Sequence, residues 1–215
     1  KAGIAGGAGY TAGELIRVLL SHPMVTIRFI HSNSNAGKPV GSIHTDLLHE
    51  GDLFFTSDCT EDIDVLFLCV GHGEAKKFLH QHKVAPYVRV IDLSQDFRLE
   101  QHAEFDGRVF TYGLPEMNKK HIQTATNIAN PGCFATAIEL GLLPLASKGL
   151  IRQVYTTGIT GSTGAGQAPG PRAAALRPAR DPPRLPPAFR DRAISPCGRP
   201  GRDGRARGIR TGEPL

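Results

Sequence analysis

The chain has 215 residues, enough for one or two domains, and a formal net charge of +5. Residues 1–166 carry 14 Lys and Arg against 16 Asp and Glu, whereas residues 167–215 carry eleven Arg against four acids, so the basic balance belongs to the second part. No apolar run approaches the roughly 20 residues of a membrane-spanning helix, and the four cysteines have neither CxxC nor metal-ligand spacing. We therefore expect a cytoplasmic protein with free thiols, no membrane span and no bound metal.

The first thirty residues predict a strand–turn–helix–strand unit. Residues 2–5 form a short apolar run, a glycine-rich turn follows, and Leu15, Ile16, Val18 and Leu19 give the next segment helical spacing. The helix is expected to end at Ser21-His22-Pro23, because proline cannot continue it. Residues 25–30 predict the second strand, and the unit has the length typical of a βαβ motif.

The pattern continues to about Leu145 as alternating strands and helices. Residues 64–70 form a near-continuous apolar run, which is typical of a strand buried on both faces of a parallel sheet. A helix over 74–82, strands over 88–92 and 126–129, and a helix from Cys133 complete the series. This order predicts a doubly wound (Rossmann) α/β domain over residues 1–145.

The turn after the first strand has the composition of a dinucleotide-binding loop. It reads G-x-G-x-x-A from Gly7 to Ala12, between a predicted strand and a predicted helix. Such glycines permit a tight turn and the close approach of a pyrophosphate to the helix N-terminus. A glycine-rich turn with no ligand is the alternative. The predicted cofactor-binding residues here are Gly6, Gly7, Gly9, Tyr10, Thr11 and Ala12.

The end of the second strand favours NADP over NAD. NAD-binding domains usually carry Asp or Glu there for the ribose hydroxyls. This chain instead has His31, followed by hydroxyl and amide side chains over residues 32–35, and Lys38 beyond them. Ser32, Ser34 and Lys38 are therefore predicted to hold the 2′-phosphate, although an ordinary polar loop is also consistent with these residues.

Cys133 follows Asn130-Pro131-Gly132 and begins an apolar helical run. A helix N-terminus has unpaired N–H groups and a partial positive charge, which both favour a thiolate. A thiolate is the nucleophilic form of cysteine. The alternative is a buried structural cysteine.

The last part of the chain changes in composition. Residues 146–166 predict the start of a second α+β domain, with a strand over 154–160. Residues 167–215 are rich in Arg, Pro, Gly and Ala, and predict a disordered tail. An Arg-rich tail can contact nucleic acid, but this one has one Phe and neither Tyr nor Trp for stacking. We favour a third interpretation, a shifted reading frame.

Five motifs together resemble the N-acetyl-gamma-glutamyl-phosphate reductase family. The turn and helix from Gly6 to Leu15 are similar to its G-x-x-G-Y-x-x-x-E-L segment. The other four segments that resemble family motifs are DLSQDFR (92–98), YGLPE (112–116), NPGCFAT (130–136) and GSTGAG (161–166). The order of the five is specific, whereas each alone is weak.

The resemblance implies NADPH-dependent reduction of an acyl phosphate through a thioester on Cys133, in arginine biosynthesis, and a homo-oligomer. It further implies Asn130 and Arg98 as substrate-binding residues, although a salt bridge is the alternative role for Arg98. The additional cofactor-loop residues it implies are Gly71, His72, Ser162 and Gly164.

The resemblance stops near Gly166, where the family's substrate domain continues and supplies a catalytic histidine. Residues 167–215 contain no histidine, so we expect the chain by itself to be impaired. Aspartate-semialdehyde dehydrogenase and a carrier-protein-linked aminoadipyl-phosphate reductase are alternatives within the class. The alternative outside it is an NADP-binding module with a basic tail.

Overall fold

The computed structural model describes residues 1–161, 163 and 164. Eight strands form one sheet in the described part of the chain. Their bounds are β1 Ala2–Ala5, β2 Ile27–His31, β3 Phe55–Thr56, β4 Val65–Leu68, β5 Arg89–Asp92, β6 Glu104–Phe105, β7 Arg108–Tyr112 and β8 Asn127–Ala129. The helices are α1 Tyr10–Leu20, α2 Ala75–Gln81, α3 Pro115–Thr124 and α4 Cys133–Ala146.

The sheet is parallel except at one edge. Its strand order is β3-β2-β1-β4-β5-β8-β7-β6, and only the β6–β7 pair is antiparallel. The order in which strands are added to the sheet reverses between β1 and β4. From β1 the chain adds β2 and β3 on one side, and it then crosses back to add β4 on the other side of β1. This is the switch point at which doubly wound folds bind their ligands, and the predicted α/β fold is confirmed.

Two apolar clusters form the core. The first contains β1 residues and the inner face of α1, with Ala12, Ile16 and Leu19 packed near Ile4 and Ile30. The second contains Leu66, Leu68, Phe78 and Val90, among others, beneath α2. Phe97 stacks on Phe110 with ring centroids 3.9 Å apart. Apolar side chains therefore cover the central strands of the sheet, as is typical of parallel sheets.

The helix α4 is apolar but sparsely buried. Of its fourteen residues, only Glu139 is buried. Leu140 and Leu145 are exposed, and Leu150 and Tyr155 beyond the helix are exposed as well. None of the helices in the described residues has the length and apolarity that crossing a bilayer requires.

The predicted order of elements is confirmed for β1, α1, β2, β4, α2, β5, β8 and α4, with shifts of one or two residues at several ends. The strands β3, β6 and β7 and the helix α3 were not predicted. The predicted strand over 154–160 is wrong, because these residues are irregular. Tyr155 and Ile159 are 86% and 89% exposed, and a strand cannot persist without a neighbouring strand that pairs with its backbone groups. The predicted tail, 167–215, lies outside the described residues.

Candidate active site

Four of the five motif segments lie at one edge of the sheet, the edge formed by the carboxyl ends of the parallel strands. The strands β1, β2, β4, β5, β7 and β8 are parallel to one another, so their carboxyl ends share that edge. The glycine turn follows β1, the loop with Gly71 and His72 follows β4, and the segment with Arg98 follows β5. The YGLPE segment follows β7, and Asn130 to Cys133 follow β8. The sheet thus gathers segments that are far apart in sequence.

The glycine turn needs its first two glycines for packing. Gly6 has a φ of +78°, a conformation that glycine adopts without penalty. A Cβ on Gly6 would lie 2.6 Å from the carbonyl oxygen of Cys69, and one on Gly7 would lie 2.3 Å from Cγ2 of Ile30. The turn therefore fits closely between β2 and β4.

Gly9 has a different environment. A Cβ there would meet other atoms only at 3.6 Å or more, which is ordinary contact. Gly9 is the N-cap residue of α1 and gives no side-chain cap, so the N–H groups of the first helical turn have no capping side chain. Space above the backbone and unpaired N–H groups are what a pyrophosphate needs. The residues at this turn therefore fit a dinucleotide.

A buried histidine supports the turn from below. Nε2–H of His44 donates a hydrogen bond of 2.8 Å to the carbonyl oxygen of Gly7. A Cβ on Gly13 would lie 2.6 Å from Nδ1 of the same ring, so the small residue in α1 makes room for it. His44 was missed in the sequence, because nothing in its local pattern connects it to a turn so far away.

The loop after β2 brings the three predicted phosphate residues around one amide. Nδ2 of Asn35 donates to Oγ of Ser32 at 3.3 Å and to Oγ of Ser34 at 3.2 Å, and Nζ of Lys38 donates to Oδ1 of Asn35 at 3.2 Å. Ser32 is buried, whereas Ser34 and Lys38 are exposed. No carboxylate interrupts the loop between residues 31 and 38.

The segment after β5 organises the loop after β4. Oδ1 of Asp96 accepts a hydrogen bond of 2.6 Å from N–H of Gly73, and Oδ2 accepts one of 3.0 Å from N–H of Ala75. Nδ1 of His72 accepts one of 3.1 Å from N–H of Gln95. Gly71 and His72 remain exposed. The capping role of Asp96 was not predicted, since its partners lie in another motif.

Asp92 is fully buried at the end of β5. Its carboxylate accepts hydrogen bonds from N–H and Oγ–H of Ser94, at 3.1 and 2.8 Å. Burial nevertheless raises the pKa of Asp92 to about 6, because desolvation penalises the charged carboxylate more than these bonds favour it. The carbonyl oxygen of Asp92 accepts a 2.8 Å hydrogen bond from N–H of Asn130, which links β5 to the turn before Cys133.

Cys133 is exposed and is the first residue of α4. Its N-cap, Gly132, gives no side-chain cap to the helix. The predicted position at a helix N-terminus is therefore confirmed, and the alternative of a buried structural cysteine is not. Cys59 and Cys69 differ, because burial raises the pKa of Cys59 to about 11 and that of Cys69 to about 12.

Arg98 lies beneath the turn that leads to Cys133. Its Nε donates to the carbonyl oxygen of Asn130 and its Nη2 donates to that of Leu93, both at 2.8 Å. A Cβ on Gly132 would lie 2.9 Å from Nη1. These contacts with backbone describe a residue that positions the turn, and its predicted substrate contact stays a prediction.

A buried carboxyl anchors the middle of α4 to the sheet. Tyr112 donates its hydroxyl hydrogen bond to the Glu139 carboxyl, at 3.2 and 3.1 Å from the two oxygens. Burial raises the pKa of Glu139, and the tyrosine bond partly offsets that. The pair attaches α4 to β7 of the sheet. Of the remaining predicted residues, Gly164 is exposed and Ser162 lies outside the described residues.

The fold and the residues at the carboxyl ends of its strands define the class of protein. It is a nucleotide-binding α/β domain with an exposed thiol at a helix N-terminus. The family model for the semialdehyde dehydrogenase NAD binding domain matches residues 1–125, and that for the semialdehyde dehydrogenase dimerisation domain matches residues 133–178. The chain belongs to the semialdehyde dehydrogenase family. The prediction of a nicotinamide dinucleotide cofactor is thereby confirmed.

Curated relatives share half or more of the aligned residues with this chain. The chain is 52% identical over 165 residues to the N-acetyl-gamma-glutamyl-phosphate reductase of Flavobacterium johnsoniae, covering 76% of this chain and 51% of that protein. It is 55% identical over 171 residues to that of Azobacteroides pseudotrichonymphae, covering 79% and 52%. These names bear out the predicted resemblance. The chain spans about half the length of the curated relatives it matches.

Solved structures agree on the fold. The aspartate semialdehyde dehydrogenase of Candida albicans, solved with NADP, has a TM-score of 0.51 at 17% identity, covering 70% of this chain and 47% of that chain. Aspartate semialdehyde dehydrogenase II of Vibrio cholerae has a TM-score of 0.51 at 19% identity, covering 69% and 42%. At such identity the likeness shows the fold alone.

Proposed function

We propose that this chain binds NADP and carries the nucleophile for NADPH-dependent reduction of N-acetyl-glutamyl 5-phosphate to N-acetyl-glutamate 5-semialdehyde and phosphate, a step of arginine biosynthesis. The observation that carries the proposal is the exposed Cys133 at the N-terminus of α4, at the same sheet edge as the glycine turn. The acyl group is proposed from the names of the curated relatives.

The glycine turn and the loop after β2 hold the cofactor in this proposal. The first N–H groups of α1 receive the pyrophosphate above Gly9, and the hydroxyls of Ser32 and Ser34 with Lys38 receive the 2′-phosphate. Lysine is a point charge suited to a phosphate. NADPH, when bound, supplies the hydride.

The turn and the nucleophile are separated by a distance that a dinucleotide spans. Three strand-to-strand steps lead from β1 through β4 and β5 to β8. Neighbouring strands lie about 4.8 Å apart, so the two loops are separated by roughly 14 Å. A dinucleotide held at the glycine turn would therefore be long enough to reach Cys133.

Cys133 performs covalent catalysis in this proposal. Its thiolate attacks the acyl carbon and forms a C–S bond. The bond between the acyl carbon and the phosphate oxygen then breaks, and phosphate leaves. The uncapped N–H groups at the start of α4 face the developing oxyanion. Arg98 positions the turn through Asn130 and Leu93. With hydride supplied by bound NADPH, the carbon–sulfur bond of the thioester would break, which would release the semialdehyde and return Cys133 as a thiolate.

We also propose that the protein forms a homo-oligomer, since residues 133–178 match a dimerisation-domain model.

The test is to mix the full chain with N-acetyl-glutamyl 5-phosphate and follow phosphate release and NADPH oxidation. We expect a burst of up to one phosphate per chain, which Cys133→Ser abolishes and Cys69→Ser retains. NADPH binding without any burst would instead favour the binding module. A burst that survives Cys133→Ser would overturn the proposed nucleophile.

A further inference from the structure

Three potential metal ligands meet on the face of the sheet that packs against α2. They are His31, the last residue of β2, Cys59, in the segment between β3 and β4, and His82, which follows α2. One ring nitrogen of each histidine and Sγ of Cys59 all lie within 4.8 Å of one another. The spacing of these residues in the sequence gave no metal signal, because they come from three separate elements.

His31 has an unsatisfied nitrogen inside this cluster. The residue is only 6% exposed, and its Nε2 has no hydrogen-bond partner among the described residues. A buried polar atom without a partner costs free energy, roughly 1–3 kcal/mol in proteins. A bound cation would give a ring nitrogen of His31 a partner that the polypeptide does not provide.

Aromatic contacts hold the two histidine rings in place. The His31 ring packs edge-on against His82 with centroids 5.4 Å apart, and Phe78 lies against both, at 5.3 and 4.3 Å. These contacts restrict the orientation of both imidazole rings.

A cavity opens beside the cluster. It has a volume of about 230 Å³, and its lining includes Cys59, Glu61 and His82. Both Cys59 and His82 are only partly buried, so an ion can reach them from solvent through this cavity. The cavity also has room for a water molecule as a further ligand.

We propose that His31, Cys59 and His82 bind a thiophilic divalent cation of the Zn²⁺ class. One sulfur and two imidazole nitrogens form a donor set that Zn²⁺ prefers, and the fourth tetrahedral position is filled by water from the cavity. Ligand atoms about 2.0–2.3 Å from zinc lie roughly 3.3–3.6 Å apart, so closure requires side-chain shifts of about an ångström. Binding replaces the Cys59 S–H bond by a sulfur–metal bond and releases the proton to solvent.

The test is titration of the full 215-residue chain with Co²⁺, whose bond to thiolate gives a charge-transfer absorption band in the near ultraviolet. We expect a band that saturates at one Co²⁺ per chain and disappears when Zn²⁺ displaces the cobalt. Cys59→Ser and His82→Gln should each weaken Co²⁺ binding by at least about tenfold.

Matched variants separate the site from adventitious binding. Cys69→Ser removes another thiol and His80→Gln removes an exposed histidine of α2, and both should retain the band. Cys133→Ser should retain it as well. If no band forms, if it survives Cys59→Ser, or if Cys69→Ser removes it equally, the proposal is overturned.

A stability measurement covers the case in which Cys59→Ser folds poorly. Zn²⁺ should raise the unfolding temperature of the unmodified chain and of His80→Gln but not that of His82→Gln, whose side chain is only half-buried. Equal stabilisation of His80→Gln and His82→Gln by Zn²⁺ would also overturn the site.

Discussion

Nε of Arg98 donates a hydrogen bond of 2.8 Å to the carbonyl oxygen of Asn130, three residues before Cys133. Nη2 of the same guanidinium donates to the carbonyl oxygen of Leu93. One planar side chain therefore joins the segment after β5 to the turn after β8. Because a guanidinium presents several donors in a fixed fork, a flexible ammonium cannot reproduce both bonds.

Arg98→Lys is accordingly expected to destabilise the protein and loosen the turn. Loss of one hydrogen bond from a charged group costs about 1.5–3 kcal/mol in the free energy of unfolding. Urea denaturation measures this, with the exposed Arg152→Lys as the matched control. The rate of Cys133 alkylation should change in Arg98→Lys alone. Identical denaturation midpoints for the two variants would contradict the positioning role.

Gly9→Ala is expected to impair cofactor binding while preserving the fold. The new Cβ meets only ordinary contacts within the protein but occupies the space above the helix N-terminus. NADPH fluorescence titration should show affinity reduced by at least about tenfold, which corresponds to 1.4 kcal/mol of binding free energy. Gly51→Ala is the control, because a Cβ there meets nothing within 4 Å.

Gly7→Ala should behave differently from Gly9→Ala. Its Cβ would lie 2.3 Å from Cγ2 of Ile30, and overpacking of this kind costs roughly 1–3 kcal/mol in unfolding free energy. Thermal unfolding distinguishes the two variants. Unchanged NADPH affinity in Gly9→Ala would show that the cofactor does not approach this turn.

Cys133 should react with iodoacetamide before the other described cysteines. It is exposed, whereas burial raises the pKa values of Cys59 and Cys69 to about 11 and about 12. At pH 8 a thiol with such a pKa is almost wholly protonated, so its labelling should be at least about a hundredfold slower. Peptide mass spectrometry over time measures each rate, and bound NADP should slow labelling of Cys133 alone. Faster labelling of Cys69 than of Cys133 would reverse the assignment.

Asp92 should make the protein less stable as the pH rises through weakly acidic values. Its folded-state pKa of about 6 exceeds the ordinary value of 3.8, so the folded state binds the proton more tightly than the unfolded state. This contribution to stability is complete below pH 3.8 and is lost by about pH 6. Its size is about 3 kcal/mol for two pKa units.

The measurement is the free energy of unfolding from pH 4 to 7 for the unmodified chain, Asp92→Asn and Asp52→Asn. The fall attributed to Asp92 should vanish in Asp92→Asn and persist in Asp52→Asn, whose side chain is exposed. A fall that persists in Asp92→Asn would assign it to another group.

Secondary-structure elements were predicted correctly where the signal lies in neighbouring residues, and were missed where it depends on a distant segment. The unit from β1 to β2 was predicted because the apolar period, the glycine turn and Pro23 all act on neighbouring residues. The strand β7 was missed, although it follows an Asp-Gly dipeptide, which is typical of a hairpin turn. In the structure Asp106 and Gly107 form that turn, with φ values of 48° and 73°. The pairing of β7 with β8 is what makes it part of the sheet. The strand predicted over 154–160 failed for the converse reason, since no described segment pairs with it.

The residues of the candidate site also fall into those found from the sequence and those that only the structure shows. Cys133 and the glycine turn were found from the sequence, because a helix start and a tight turn have local chemical signatures. The supporting groups were not found, because Asp96, His44 and Glu139 act on residues in other elements. The structure also shows bonds from Arg98 to two backbone carbonyls, which the sequence did not indicate.

The sequence by itself determined the alternation of strands and helices, the nucleotide-binding turn and the thiol at a helix start, because each depends on residues within a few positions of one another. Only the tertiary structure decided which loops share the sheet edge, what holds the Cys133 turn, and that His31, Cys59 and His82 meet. Those contacts join distant segments, and their partners are set by strand order and burial, which no local pattern specifies.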